Sequence, residues 1–186
     1  HIYGISSHGK STITKASCGV WGNPKDISKS WRTTDNALEN EAELRNDNFL
    51  NLDEMRQAAP KDVSDIVYMI TGGQGKARSS KTGKNRESKQ FSLMYTSTGE
   101  VTLEEHLRRG NIELDAGLLL RFAHLSSDAG KGYGVFDCIN YGTESRDIGN
   151  RINELASKHY GHAGIKWLEY LTSYKNAVMQ KAQELL

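Results

Sequence analysis

Nine consecutive residues constrain this chain more than any others: Gly4-Ile5-Ser6-Ser7-His8-Gly9-Lys10-Ser11-Thr12. The spacing G-x-x-x-x-G-K-[ST] is that of a loop that wraps a phosphate in its own backbone N–H groups. Glycine lets such a backbone turn tightly. Lys10 then reaches the β- and γ-phosphates, and Ser11 offers its hydroxyl to Mg²⁺. A helix starting here adds its N-terminal amides and dipole. Gly4, Ser6, Ser7, His8, Gly9, Lys10, Ser11 and Thr12 are therefore the candidate nucleotide-binding residues, with His8 read as facing solvent. Ile2-Tyr3 ends a buried strand and Thr12 to Val20 reads as helix, so the motif has a strand on one side and a helix on the other. A strand takes about five residues, so this one is expected to begin upstream, in a longer polypeptide.

The 186 residues suit one domain with an appendage. A domain of this size buries about 70% of its extended-chain surface, enough for a real core. The 24 basic and 23 acidic side chains nearly cancel, so overall charge points to no nucleic acid and any such signal must be local. Cys18 and Cys138 are isolated, which fits a reducing cytosol and no disulfide. No apolar run approaches the ~20 residues of a membrane span.

Strands alternate with helices along the chain, which argues for an α/β parallel sheet flanked by helices. Residues 21 to 30 read as loop, and Ser30–Thr33 as a short strand. Thr34 or Asp35 caps a helix through Arg45. Phe49–Leu52 is a short apolar strand. Pro60 opens a helix whose stripe is Val63, Ile66, Val67 and Ile70. Phe91–Tyr95 reads as another core strand, Thr102 with Glu105 as a capping box, and Leu118–Leu125 as a further strand. Gly130, Gly132 and Gly134 mark a loop. Two helices, about Glu144–His159 and Ile165–Leu185, close the chain. The expected division is a core over residues 1–142 and a helical lid or tail over 143–186.

The apolar strand at Phe49 delivers Asp53 to the carboxyl edge of the sheet, where ligands bind in such folds. Asp53 there can hold Mg²⁺. Glu54 can polarise a water for attack on the γ-phosphate. The bland alternative is a solvated helix start, where acids are favoured anyway. Thr96-Ser97-Thr98 is expected to end the next core strand beside the γ-phosphate, so Ser97 and Thr98 are candidates to hold the attacking water. Arg121 lies inside an apolar run, which is costly without a partner. It reads either as a structural ion pair or as an arginine finger acting on a neighbouring subunit's ATP. Trp31 and Arg32 read as contacts to adenine or to a neighbour, or Trp31 as a core residue, the latter favoured. His1, His106, His124, His159 and His162 have no metal-ligand spacing.

Residues 76 to 90 carry Lys76, Arg78, Lys81, Lys84, Arg86 and Lys89 against Glu87 alone. Thr82-Gly83 in the middle suggests a hairpin tip. The segment is either a solvated loop or a hairpin that tracks phosphates.

Four motifs in order resemble the AAA+ ATPases, and among them the minichromosome-maintenance-like helicases: Gly4–Ser11, the Asp53-Glu54 strand, Thr96–Thr98 as sensor 1, and Leu120-Arg121-Phe122, similar to that family's Ser-Arg-Phe finger. The basic hairpin resembles the one that touches DNA in the ring's channel. Ser28–Asn36, Gly73–Arg78, Ser97–Glu100 and His159–Gly161 are similar to a bacterial family of phages and mobile elements, often beside primase domains. The resemblance implies an ATP- and Mg²⁺-dependent DNA helicase or translocase core, acting as a homo-oligomeric, hexameric ring on single- or double-stranded DNA in the cytoplasm. It makes Lys76, Arg78, Lys81, Lys84 and Arg86 the candidate DNA contacts. An ATP-switched DNA-binding module that does not translocate is the competing reading. Arg146 and Arg151 are the candidates for a second sensor arginine.

Overall fold

The computed structural model describes residues 1–76, 78–79, 85–86, 88–113 and 116–185, with the backbone alone for residues 78, 79, 85, 86, 116, 118 and 119. Its centre is a sheet of β1 (Ile2–Tyr3), β2 (Ser28–Ser30), β3 (Phe49–Asp53), β6 (Met94–Gly99) and β7 (Leu125–Ser126), in the order β2-β3-β6-β1-β7. Every neighbouring pair is parallel. β4 (Arg78–Ser79) and β5 (Asn85–Arg86) form a separate antiparallel ribbon.

β3 is buried along its first four residues, as expected of a strand covered on both faces. Leu50 and Leu52 alternate onto one face, where they meet Leu38 of α3 (Asp35–Leu44), Val63 and Val67 of α4 (Pro60–Gly72) and Leu103 and Leu107 of α5 (Leu103–Arg108). Each such side chain, fully buried, contributes about 1.5–3 kcal/mol. Phe49 takes the other face and packs with Cys18 and Trp21 of α1 (Lys10–Trp21) and Ile27 of α2 (Pro24–Ile27). Between them Asn51 is fully buried. Its amide donates to Ser28 Oγ at 2.7 Å and its carbonyl accepts from Thr96 Oγ1 at 2.8 Å, a polar rung across three strands.

Trp31 is core, 1% exposed. Thr34 caps α3 by accepting the Ala37 N–H. Four other expectations are corrected. Residues 21 to 30 are not all loop, because Asn23 and Pro24 start α2 and β2 follows it. The strand expected at Phe91–Tyr95 runs instead through Met94–Gly99. Its hydroxyls tolerate burial because each finds a partner: Thr96 on Asn51, Ser97 on Trp31, Thr98 on Asp53. The run Leu118–Leu125 is not one strand. Residues Ala116–Arg121 form α6 and only Leu125–Ser126 pairs in the sheet. Leucine-rich sequence favours helix, and Arg121 suits a helix C-terminus. The tail holds three helices: α7 (Ser145–Lys158), α8 (His162–Ser173) and α9 (Lys175–Glu184), with a break at Tyr174 that no glycine or proline announces.

α7 runs beside α1. A side chain at Gly149 would meet Thr12, and one at Gly19 would meet Ala156, so small residues set a close approach. No helix among the described residues is long and apolar enough to cross a membrane.

Candidate active site

The loop from Gly4 to Gly9 leaves β1 at the carboxyl edge of the sheet and enters α1 at Lys10. Ser7 takes a left-handed φ of 67°, and Gly9 one of 87°. No side chain caps α1, so the first amides of the helix remain available to an anion. The loop is braced from outside. Val135 donates its N–H to the His8 carbonyl at 3.0 Å. A Cβ at Gly134 would come within 2.6 Å of that carbonyl, and one at Gly9 within 2.6 Å of the Val135 side chain. Both positions have positive φ, so glycine is required at each for space and for conformation.

Lys10 is 8% exposed. Its ammonium donates to the Gly4 and Ile5 carbonyls, each at 2.7 Å. Burial pulls the ammonium below the usual lysine range, and the carboxylates of Glu54 and Asp53 pull it partly back. Those two acids end β3 and begin the next turn. Glu54 has a φ of 62°, rare for a side chain of this kind and a form of strain that gathers at functional sites. The Thr98 hydroxyl donates to Asp53 Oδ1 at 2.5 Å and accepts the Glu54 N–H at 3.0 Å.

A cleft of about 500 Å³ opens over these groups. Ser6, Ser7, His8, Gly9, Lys10, Ser11 and Thr12 line it, with Glu54 and Thr98 opposite. Gly4 and Asp53 stand behind that lining, Gly4 as acceptor for Lys10 and Asp53 as acceptor for Thr98. Sequence reasoning missed Glu100, Phe136, Glu144, Asn150 and Asn153, which also line it, and ranked Arg146 only as a candidate. Arg146, Gly149, Asn150 and Asn153 fall on one face of α7 at helical spacing, the signal that was there to be read. Arg151 is turned away and pairs with Glu154 at 3.0 Å.

Two expected residues are not brought to the cleft. Ser97 is fully buried on the face opposite Thr98, where it accepts the Trp31 Nε1–H at 3.0 Å and lies 3.0 Å from His1 Nδ1. Arg121 is exposed at the end of α6 and makes no ion pair among the described residues. The next residue, Phe122, stacks on the His1 ring with centroids 5.5 Å apart. His1 precedes β1 and the loop follows it, so Arg121 lies toward the amino edge of the sheet, away from its own chain's loop.

In the basic segment, Lys76 is paired with Asp35 of α3 at 2.5 Å, and Lys89 with Glu43 and, at 2.6 Å, Asn40. Both legs of the ribbon are thereby tied to α3. The register sets Arg78 opposite Arg86. Lys81 and Lys84 lie outside the described residues.

A family model described as a domain of unknown function, DUF927, matches residues 1–90, just under half of the chain. A solved structure titled as an SCCmec type IV Cch active helicase is similar over 96% of this chain, with a TM-score of 0.63 and 22% identity. This chain spans 30% of that one. The likeness establishes a shared α/β fold with a parallel sheet flanked by helices. None of the curated proteins matches.

Proposed function

We propose that this chain is the ATP-hydrolysing core of a DNA helicase or translocase from a mobile element, AAA+-like in fold and similar to the minichromosome-maintenance-like helicases. In the full-length protein it acts as a ring, hexameric by that resemblance. The observation that carries this reading is the meeting of Lys10, Glu54 and the uncapped first turn of α1 at one cleft, with Asp53 behind its lining on Thr98. The loop amides hold the β- and γ-phosphates. Lys10 exchanges the Gly4 and Ile5 carbonyls for phosphate oxygens. Glu54 polarises the attacking water.

The implied cation fits the donors present. Ser11 is exposed at the first turn of α1 and Asp53 ends β3, both with hard oxygen donors. Mg²⁺ takes one or two protein oxygens and completes its shell with water and phosphate. The ion supplies charge neutralisation across the phosphates.

Mobile-element helicase activity is supported by the titled neighbour and by the run of basic residues between Lys76 and Lys89. The test is ATP turnover with and without single-stranded DNA, for the wild-type chain and for Glu54→Gln. Wild-type turnover should rise with DNA, and Glu54→Gln should bind ATP and leave it intact. DNA binding without stimulated turnover would select the module that switches but does not translocate. Turnover in Glu54→Gln near that of wild type would remove Glu54 from the chemistry.

A further inference from the structure

Thr98 sits in the middle of the sheet, with Ile2 of β1 as its register partner and β3 on the other side. It is 2% exposed, so its rotamer has little freedom. A hydroxyl carries one proton and two lone pairs. The proton is committed to Asp53 Oδ1 and one lone pair to the Glu54 amide. A hydroxyl so engaged cannot also donate to a γ-phosphate oxygen. Meanwhile Glu54 holds a left-handed backbone that persists only where its surroundings fix it. The bond that fixes its amide is the one to Thr98.

We infer that Thr98 is a positioning residue that sets both acids at once. By occupying Oδ1 of Asp53 it leaves Oδ2 as the oxygen that would hold the cation. By anchoring the Glu54 amide it holds the turn that brings the Glu54 side chain to the cleft. Thr98 thus acts through Asp53 and Glu54 and not on the phosphate. This rests on the nucleotide-site reading above.

The experiment uses the full chain as wild type, Thr98→Val, which keeps the shape without the hydroxyl, and Thr98→Ser, which keeps the hydroxyl. A fluorescent ATP analogue is titrated first in EDTA and then across a Mg²⁺ series, with turnover measured alongside. Binding in EDTA should be equal in all three proteins. The Mg²⁺ concentration that half-saturates the cation-dependent tightening should rise on the order of 10- to 100-fold in Thr98→Val, as for other partners that orient a metal ligand. It should stay near wild type in Thr98→Ser. Turnover of Thr98→Val should remain low even at saturating Mg²⁺, because Glu54 is released as well. If Thr98→Val does not fold, Thr98→Cys, a weaker donor of similar shape, should give an intermediate shift in the Mg²⁺ midpoint. An unchanged Mg²⁺ midpoint with lowered turnover would place the hydroxyl on the γ-phosphate or its water and overturn the inference. A wild-type chain that binds no nucleotide in either condition would overturn the site reading itself.

Discussion

Trp31 and Ser97 are joined across the interior, the indole Nε1–H donating to the Ser97 hydroxyl at 3.0 Å with both side chains buried. Trp31 also donates its backbone N–H to the Asp53 carbonyl, so one residue ties the β2 edge to the strand that carries the acids. The pair lies outside the lining of the cleft, so the role expected of it is structural. Ser97→Ala leaves the buried indole donor without a partner and should destabilise the chain by about 1–3 kcal/mol. ATP turnover per folded molecule should stay near wild type. Denaturant unfolding and turnover on the same samples check this. A loss of turnover of more than tenfold at unchanged stability would give Ser97 a part in the chemistry.

Lys10 predicts a different split. Its ammonium donates to two carbonyls of its own loop, in a site whose carboxylates already favour the charge. Lys10→Ala should abolish turnover and weaken nucleotide binding, with little effect on folding. Equilibrium binding of a fluorescent nucleotide is the measurement. Wild-type affinity in the mutant would defeat the phosphate-loop assignment.

What was legible in the sequence was local. The Gly4–Ser11 spacing and the apolar strand before Asp53 each act within a few residues, and the loop and Glu54, which follows that strand, line one cleft. The split between Ser97 and Thr98 was not legible, because adjacent strand residues face opposite ways and only the strand's real start, at Met94, sets which is which. Periodicity could not separate strand from helix in six residues at Ala116–Arg121. The cleft residues of α7 depend on how that helix lies along α1, a tertiary fact carried by Gly149 and Gly19.

His106 makes stability depend on pH. It is 5% exposed, its Nε2 is 3.2 Å from the Ala58 carbonyl, and its Nδ1 has no partner among the described residues. Burial holds its pKa below the ordinary value; the Ala58 bond opposes this, while Arg109 and Arg56 add to it. Below the unfolded value of about 6.5 the unfolded chain takes up the proton first, so stability falls as pH falls from there through the folded pKa. His106→Gln keeps a donor for Ala58 and removes the titration. Urea midpoints from about pH 8 to about pH 5 should fall less steeply in the mutant. Parallel slopes would exclude His106 as the group responsible.

Arg121 is exposed and lies away from its own chain's loop, which suits a group that acts on a neighbour. In the full-length protein, Arg121→Ala should bind ATP normally and lose turnover on the order of 10³-fold or more if it is a finger. Mixing it with Lys10→Ala subunits should restore part of the activity, since an intact Arg121 then faces an intact loop. Mixed rings of confirmed assembly that stay inactive would count against action across subunits.

The basic ribbon separates the two leading readings most sharply. Its base is committed to the protein, since Lys76 is held by Asp35 and Lys89 by Asn40 and Glu43. That leaves Arg78, Lys81, Lys84 and Arg86 as the charges to test against DNA. Phosphate contacts release counterions, so each lysine lost should lower the salt slope of DNA binding by roughly one unit without changing sequence preference. Lys81→Ala with Lys84→Ala should therefore flatten the slope by about two units. The same double mutant should keep basal ATPase and lose stimulation by DNA, because the motor remains and its grip on the track does not. Lys76→Ala should act differently, loosening the ribbon from α3 by removing the partner of Asp35. The measurement is DNA affinity across a salt series, with ATPase assayed with and without DNA. An unchanged slope together with unchanged stimulation in the Lys81/Lys84 double mutant would make the segment an ordinary surface hairpin and would favour the module that does not translocate.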